Sequence, residues 1–348
     1  MVKDAAAVRK GEELDAGALQ EFLRGKIEGV EGGIEIRQFP GGHSNLTYLL
    51  RSEEREYVLR RAPLGPVAPR AHDMVREFRV LEAVYPHFPP APRVYLVCED
   101  PAVIGAPFFL MERRKGFVLR DHVPPEIAAQ RDYACRISQA FVDCLVQLHS
   151  VDVETHGLTA LGKPEGYVAR QLRGWTERWQ RACTQSSPEM DRVAQWLADT
   201  IPSSGPPALV HNDFKLDNVM IATDSPDPIE AVLDWEMATV GDPLCDLGLT
   251  LCYWNSTVVP GTGYLSITGG PGWYGRDELI ARYAQKTGRD LSALHWHEVF
   301  GVFRMTVILQ QIYFRFQRGQ TSDERFRNFG ERVRVLMELA GRMMEEAR

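Results

Sequence analysis

The first part of the chain alternates short apolar runs with turn-forming residues, a pattern typical of a small β-rich lobe. A polar helix is predicted over residues 14–27, followed by strand-like runs within residues 34–60. Two of these runs, residues 46–50 and 57–60, are rich in β-formers and are joined by a charged turn. This arrangement predicts a β-hairpin.

A helix and two further strands complete this lobe. Met74, Phe78 and Leu81 recur at spacings of four and three residues, which places them on one face of a helix. Short apolar runs at residues 93–98 and 108–111 predict the last two strands.

The pattern becomes mainly helical after a polar connector. We therefore predict an N-terminal nucleotide-binding lobe over residues 1–111, a hinge over residues 112–116 and a larger C-terminal lobe over residues 117–348. Within the second lobe, two short strands are predicted at residues 219–222 and 229–233. The expected class is α+β with two lobes.

Composition narrows the possible partners and location. The formal net charge of −7 argues against a nucleic-acid partner, because a duplex binder needs a basic face. The most apolar stretch, residues 299–316, contains Arg304 and Arg315, so a buried helix is predicted there rather than a membrane span. Six cysteines without a C-x-x-C pair, and an N-terminus without an apolar signal region, predict a cytoplasmic protein. The oligomeric state stays open.

The strongest chemical signal is the run H-N-D-F-K-L-D-N at residues 211–218, followed by Asp-Trp-Glu beginning at Asp234. Phosphoryl transfer needs a carboxylate that accepts the proton of the attacking hydroxyl, and oxygen ligands for Mg²⁺. By analogy with the H-x-D-x-x-x-x-N and D-F-G motifs of protein kinases, Asp213 is the predicted base, and Asn218 and Asp234 are the predicted metal ligands. Lys215 is predicted to neutralise charge on the transferred phosphoryl group.

The first lobe offers a candidate phosphate lid just before a strand. The glycines Gly41 and Gly42, with Ser44 and Asn45, would let backbone N–H groups approach the phosphates of ATP. By itself a Gly-Gly pair is more often an ordinary turn. The lid interpretation therefore depends on the motif in the second lobe.

A strand arginine and a helix glutamate resemble the ion pair that clamps ATP in kinases. Arg60 ends a predicted strand, and Glu77 lies on the next helix. Strand alternation places Arg60 on the same side as Val58, which is expected to pack on adenine, rather than Arg61. The alternative for Glu77 is an exposed acid that pairs with a neighbouring arginine of its own helix. We also include Glu112, at the start of the connector, among the nucleotide-binding residues.

With these residues in hand, the chain resembles the aminoglycoside phosphotransferase family, whose fold is protein-kinase-like. The family signature H-G-D-x-x-x-x-N, D-[WF]-E and G-D-P-x-x-D-L corresponds to residues 211–218, 234–236 and 241–247. Asn212, in place of glycine, is the one departure. Asp234 and Gly241 are only a few residues apart, which leaves no room for a segment that docks a protein substrate, so a small-molecule acceptor is expected. Asp246 is expected to support the loop by hydrogen bonds.

Residues 57–61 and 167–175 are most similar to the phosphotransferase-like domain joined to some acyl-CoA dehydrogenases. That resemblance implies an acceptor hydroxyl on an acyl chain carried by coenzyme A. The segment from residue 165 to 182 is also rich in arginine and contains Trp175 and Trp179, which suits an anionic acceptor. The equally open interpretation is a surface helix with both tryptophans packed inward.

Two other functions stay open at this point. One is an aminoglycoside or amino-alcohol kinase, for which choline is the model acceptor. The other is a binding module that holds nucleotide without turnover, although Asp213, Asn218 and Asp234 are all retained.

Overall fold

The computed structural model describes most of the chain. The described residues are 4–39, 45–52, 55–63, 73–120, 122–184, 187–225, 227–254, 267–321 and 323–347. Of the predicted lid, Gly41, Gly42 and Ser44 lie outside these ranges, whereas Asn45 lies inside them.

Among the described residues, strands predominate before Gly116 and helices predominate after it. The helices are α1 (Ala16–Leu23), α2 (Met74–Val84), α3 (Pro125–Ala128), α4 (Tyr133–His149), α5 (Tyr167–Ala182), α6 (Pro188–Asp199), α7 (Pro243–Trp254), α8 (Arg276–Thr287), α9 (Leu294–Gln317) and α10 (Phe329–Glu346). The strands are β1 (Glu35–Gln38), β2 (Leu46–Arg51), β3 (Glu56–Arg61), β4 (Val94–Cys98), β5 (Phe108–Glu112), β6 (Ala208–Val210), β7 (Val219–Ile221), β8 (Ile229–Val232) and β9 (Thr239–Gly241).

The chain divides into two compact units. Unit 1 comprises Met1–Gly116 and Glu230–Glu236, and unit 2 comprises Phe117–Ile229 and Met237–Arg348. The sequence prediction differs in two segments, because it made residues 112–116 a hinge and assigned residues 230–236 to the second lobe. Two contacts explain why residues 230–236 belong to unit 1. The Val232 N–H donates to the Pro90 carbonyl at 2.8 Å, and the Trp235 ring lies 5.8 Å from that of Phe88.

Unit 1 is built on an antiparallel sheet with the strand order β1-β2-β3-β5-β4. The predicted hairpin is present as β2 and β3, with Leu49 opposite Val58. One face of the sheet packs with Leu19 and Leu23 of α1 in a core that includes Tyr48. Helix α2 lies on the sheet through an edge-to-face contact of Phe78 with Phe109 at 6.3 Å.

Strand β3 sends alternate side chains to opposite faces of this sheet. Leu59 is fully buried in the α1 core, and the Arg61 guanidinium on the same side donates to the Ile104 carbonyl at 2.7 Å. Arg60 points the other way and pairs with Glu77 of α2. Because successive side chains of a strand point to opposite faces, Arg60 rather than Arg61 lies on the face of the sheet that α2 covers.

Helix α1 is shorter than the sequence predicts. It covers Ala16–Leu23 instead of residues 14–27, because the Asp15 side chain accepts the Ala18 N–H and caps the helix start. Gly25 then adopts a φ of 71°, which a right-handed helix cannot continue through.

Unit 2 surrounds the long helix α9. From Leu294 to Gln310 nearly every side chain of α9 is buried, and the core around it includes residues of α5, α6 and α10. In the part of the chain that the structure describes, no helix is both long enough and apolar enough to cross a membrane.

Helices α7 and α9 touch backbone to backbone at two glycines. A Cβ on Gly248 would lie 2.4 Å from the His297 carbonyl oxygen, and one on Gly301 would lie 2.8 Å from the Gly248 carbonyl oxygen. Real Cβ atoms do not approach backbone so closely, so a larger residue would force the helices apart. The crossing matters because α7 carries the side chains that hold the candidate active site.

We expect Gly248→Ala to destabilise unit 2 by about 2 kcal/mol, seen as a thermal midpoint lower by about 5 °C. Gly174→Ala is the matched control. Gly174 is also helical, but a Cβ there would meet nothing within 4 Å, so the control should raise stability by about 0.5–1 kcal/mol. Calorimetry measures the thermal midpoints of both variants. Equal midpoints for Gly248→Ala and Gly174→Ala would contradict the argument that the α7–α9 contact requires glycine.

Candidate active site

In unit 1, a largely buried arginine, Arg60, is surrounded by acids. The Arg60 Nε donates to Glu77 Oε2 at 3.0 Å, and its Nη2 pairs with Asp234 Oδ1. The Glu77 side chain is only 2% exposed, so the alternative of an exposed helix acid is wrong. We call Arg60, Glu77, Asp234 and Glu236 the carboxylate cluster.

Negative charge exceeds positive charge in this cluster. Burial raises the pKa of Glu77 to about 7, with Asp234 and Glu236 adding to the rise and Arg60 opposing it. Burial by itself lowers the pKa of Arg60, but the surrounding carboxylates outweigh it and raise that pKa above its ordinary value. An additional cation beside these carboxylates would relieve their repulsion.

Asp234 leaves strand β8 in an unusual conformation. Its φ is 68°, in the left-handed region that aspartate tolerates better than most residues. The next residue anchors the turn, because the buried Trp235 donates its Nε1–H to the Val232 carbonyl at 2.8 Å. Fixed neighbours therefore hold the Asp234 carboxylate in place.

Asn45 and Arg76 secure the other end of this turn. The Asn45 Nδ2 donates to Glu236 Oε2 at 3.0 Å, and Arg76 Nη1 donates to the Glu236 carbonyl at 2.5 Å. Asn45, predicted as part of the phosphate lid, is thus a buried contact of the Asp-Trp-Glu turn.

The two remaining unit 1 predictions lie on strands. Val58 is buried, opposite Leu49 and Met111 in the sheet. Glu112 belongs to strand β5 rather than to the polar connector, and its Oε2 accepts the Arg93 N–H at 3.2 Å. Their roles toward a nucleotide stay predictions.

In unit 2, residues 211–218 form a loop between β6 and β7 that presents Asp213, and we call it the 211–218 loop. The Asn218 Nδ2 donates to Asp213 Oδ2 at 2.8 Å, and Lys215 Nζ lies 2.9 Å from the same oxygen. The Tyr253 hydroxyl donates to Asp213 Oδ1 at 2.9 Å. Asp213 is therefore held from both sides, and the three predicted residues of this loop lie together.

Three side chains of α7, spaced four and three residues apart, hold this loop. Buried Asp246 accepts the backbone N–H groups of His211 and Asn212 at 2.6 and 2.8 Å. Thr250 donates to the Phe214 carbonyl at 2.8 Å, and Tyr253 reaches Asp213. Because i, i+4 and i+7 share one face of a helix, the spacing from Asp246 could have indicated Tyr253, which our sequence reasoning missed.

The Asp246 carboxylate is fully buried and stays charged. Burial alone raises its pKa, but hydrogen bonds from His149 and from the His211 N–H, together with electrostatic attraction to both imidazoles, outweigh burial and lower it. The His149 Nε2 lies 3.3 Å from Asp246 Oδ2, and the Tyr283 hydroxyl binds His149 Nδ1 at 2.8 Å. Asp246, which holds the 211–218 loop, is thus itself held by His149 and, through it, by Tyr283.

A small cavity of about 40 Å³ lies next to the 211–218 loop. Lys215 and Tyr253, which both contact Asp213, form part of its wall. Phe141 and Trp254 add apolar surface, and Arg120 adds a cation. A group that enters this cavity comes next to Lys215 and Tyr253.

Helix α5 buries its tryptophans. Trp175 and Trp179 are each 4% exposed and belong to the core around α9, so the inward-packing interpretation holds for them. The Arg178 guanidinium stacks over Trp175 at 4.5 Å from the ring centroid. The exposed face of α5 keeps its basic side chains, Arg173, Arg178 and Arg181.

Comparison with known proteins identifies the family of this chain. The model of a family described as the phosphotransferase enzyme family matches residues 35–297, well over half of the chain. The chain belongs to this phosphotransferase family. Acyl-CoA dehydrogenase family member 10 of Mus musculus is 34% identical over 345 residues, which cover 97% of this chain and 32% of that protein. The phosphotransferase chain thus spans about a third of the length of that relative.

Two solved structures share the fold. A Ralstonia eutropha JMP134 protein, provisionally named an aminoglycoside phosphotransferase, is 31% identical with a TM-score of 0.82, over 96% of this chain and 99% of that one. An aminoglycoside phosphotransferase crystallised with AMP-PNP and hygromycin B is 17% identical with a TM-score of 0.60, over 94% and 98% of the two chains. The latter likeness shows the fold alone. The expected α+β, protein-kinase-like class is confirmed.

We expect Asp246→Asn to destabilise this phosphotransferase by about 3 kcal/mol at pH 7, because an amide N–H would face a backbone N–H. The folded pKa of Asp246 is lowered, so its stabilising effect is full above the unfolded value near 3.9 and is lost as the pH falls. The difference between the thermal midpoints of variant and wild type should therefore narrow in acid.

Asp143→Asn is the matched control. Asp143 forms ion pairs with Arg282 and Lys286 at a partly exposed position, where such pairs contribute about 1 kcal/mol or less. If Asp143→Asn loses as much stability as Asp246→Asn, the hydrogen bonds between Asp246 and the 211–218 loop do not account for the effect.

Proposed function

We propose that the protein transfers the γ-phosphoryl group of ATP to a hydroxyl of a small-molecule acceptor, with Mg²⁺ as the metal. The observation that carries this proposal is the Asp213 carboxylate, held at both oxygens by Tyr253, Lys215 and Asn218. A base for an attacking hydroxyl needs a fixed position within hydrogen-bond reach of that proton. The α7 contacts give Asp213 such a position.

In the proposed reaction, Asp213 orients the acceptor hydroxyl and takes its proton as the oxygen attacks the γ-phosphorus of ATP. The bond from that phosphorus to the β,γ-bridging oxygen breaks, and ADP leaves with the electron pair. The Tyr253 hydroxyl already binds Asp213 Oδ1, so we infer that the acceptor oxygen approaches next to Tyr253. Lys215 lies at the same carboxylate and brings positive charge to the place where the transferred group carries negative charge.

The donor atoms suit Mg²⁺, which prefers oxygen ligands. Asn218 turns its Nδ2 toward Asp213, which directs its carbonyl oxygen away from the base. Asp234 belongs to a cluster with excess negative charge. We propose that the Asn218 carbonyl and the Asp234 carboxylate hold the metal. When bound, Mg²⁺ neutralises charge on the phosphates.

For the nucleotide, the support is the ion pair between the largely buried Arg60 and the buried Glu77. Glu77 keeps the Arg60 guanidinium in place. The same guanidinium bonds to Asp234, and in this proposal it would also bond to phosphate oxygens of the nucleotide. The structural relative crystallised with AMP-PNP binds an ATP analogue, which supports ATP here. Val58 and Glu112 in this proposal contact the adenosine part.

For the acceptor, we favour an anionic molecule, specifically a hydroxyacyl chain on coenzyme A. The exposed arginines of α5, Arg173, Arg178 and Arg181, would repel a polycationic antibiotic and attract phosphates. The mouse relative is named as an acyl-CoA dehydrogenase family member, which supports an acyl-CoA substrate. The apolar wall at Phe141 and Trp254 suits an alkyl group beside the hydroxyl.

The test is ADP release with Mg²⁺ from ATP against hydroxyacyl-CoAs, the free hydroxy acids, an aminoglycoside, choline and a generic protein substrate. We expect turnover with the hydroxyacyl-CoAs and loss of turnover when EDTA removes the metal. Turnover of the aminoglycoside or choline alone would overturn the acceptor class. Nucleotide binding without any turnover would favour a binding module.

We expect Asp213→Asn to lower kcat by about 10²–10⁴-fold with little change in the ATP dissociation constant, because the amide cannot take a proton. Asp224→Asn is the control, since Asp224 is exposed on the turn after β7. Its kcat should equal that of the wild type. An Asp213→Asn variant with wild-type kcat would remove Asp213 from the mechanism.

A further inference from the structure

Asn212 occupies the position at which the family signature has glycine. Its φ is 65°, in the left-handed region that favours glycine and that asparagine tolerates. A glycine would meet the backbone requirement without cost, so the conformation alone does not explain an asparagine here. The side chain of Asn212 needs its own explanation.

Every polar group of Asn212 has a hydrogen bond. Its backbone N–H donates to Asp246 Oδ1 at 2.8 Å, and its carbonyl accepts from Arg304 Nη2 at 3.1 Å. The side-chain Oδ1 accepts from the Tyr167 hydroxyl at 2.9 Å, and Nδ2 donates to the Met237 carbonyl at 3.2 Å. Glycine could make the first two bonds but not the last two.

Tyr167 is a rigid partner at the start of α5. Its ring fills the space beside Gly241, where a Cβ would lie 2.6 Å from the ring. The side chain is 4% exposed, and burial raises the pKa of the phenol, so it remains a neutral donor. The hydroxyl is thus fixed relative to β9 and to the first turn of α5.

We propose that Asn212 is a positioning residue that, through Tyr167, ties helix α5 to the backbone next to Asp213. The inference rests on the proposed role of Asp213 as the base. Asp213 directly follows Asn212, so a shift of one peptide displaces the carboxylate relative to the acceptor hydroxyl. A misplacement of about 1 Å costs on the order of 10²-fold in a step that depends on near-attack geometry, so a smaller shift is expected to cost less.

The link also gives α5 a place in the reaction. The same helix carries the exposed arginines proposed to meet the anionic acceptor. A bond from its first residue to Asn212 fixes the distance between that basic face and the base. The side-chain bonds of Asn212 therefore act on turnover through Asp213, and they do not touch the substrate.

The experiment compares Asn212→Gly, Tyr167→Phe and the double variant, with the full chain and the acceptor that the wild type turns over fastest. Asn212→Gly keeps the φ > 0 backbone, so the variant should fold. We expect each single variant to lower kcat about tenfold, with the KM for ATP within twofold of wild type. Both changes remove the same bond, so we expect kcat of the double variant to equal that of Asn212→Gly.

Tyr57→Phe is the matched control. Tyr57 is a buried tyrosine whose hydroxyl donates to the Glu28 carbonyl at 2.8 Å, in unit 1. We expect it to lower the thermal midpoint about as much as Tyr167→Phe, with kcat unchanged. A purely structural role for Asn212 predicts lower midpoints and wild-type kcat in its variants, and that result would overturn the proposal. Multiplicative losses in the double variant would also overturn it.

Asp213→Asn in the same assay separates this inference from the proposed function. If Asp213→Asn loses turnover and Asn212→Gly does not, the positioning role is wrong and the base remains. If Asp213→Asn keeps wild-type turnover, the proposed base is wrong, and the positioning role fails with it.

Discussion

One buried carboxylate organises the candidate active site. Asp246 accepts two successive backbone N–H groups of the 211–218 loop, and its side chain is fully buried. A buried charge is tolerated only where bonds replace its water, and here His149 and the loop backbone supply them. The conformation of the loop, and with it the direction of Asp213, therefore depends on α7. The α7 helix in turn depends on its glycine contact with α9.

Charge is arranged differently in the two units. Unit 1 gathers three carboxylates around Arg60, whereas Asp213 in unit 2 has Lys215 as a direct partner. The first arrangement favours an added cation, and the second places a positive charge beside the carboxylate that we propose as the base. A phosphotransferase that uses a metal nucleotide needs both environments. The proposed function assigns each of them to one step of binding or chemistry.

Local patterns in the sequence predicted what depends on local rules. The period of two along β3 separated Arg60 from Arg61, and the spacing from Met74 placed Glu77 on a helix. The contact of Tyr253 with Asp213 was missed, because it joins residues 40 positions apart through the packing of α7 on the loop. The sequence also left the direction of Trp175 and Trp179 undecided, since only the position of α9 buries them.

The central claim is that Asp213 acts as a base for direct transfer from ATP to the acceptor, and not as a nucleophile. The stereochemical course at phosphorus tests it, with ATP made chiral at the γ-phosphoryl group by oxygen isotopes. One in-line displacement inverts the configuration, so the account predicts inversion in the phosphorylated acceptor. Retention would require two displacements through a phosphorylated enzyme group. That result would contradict the account.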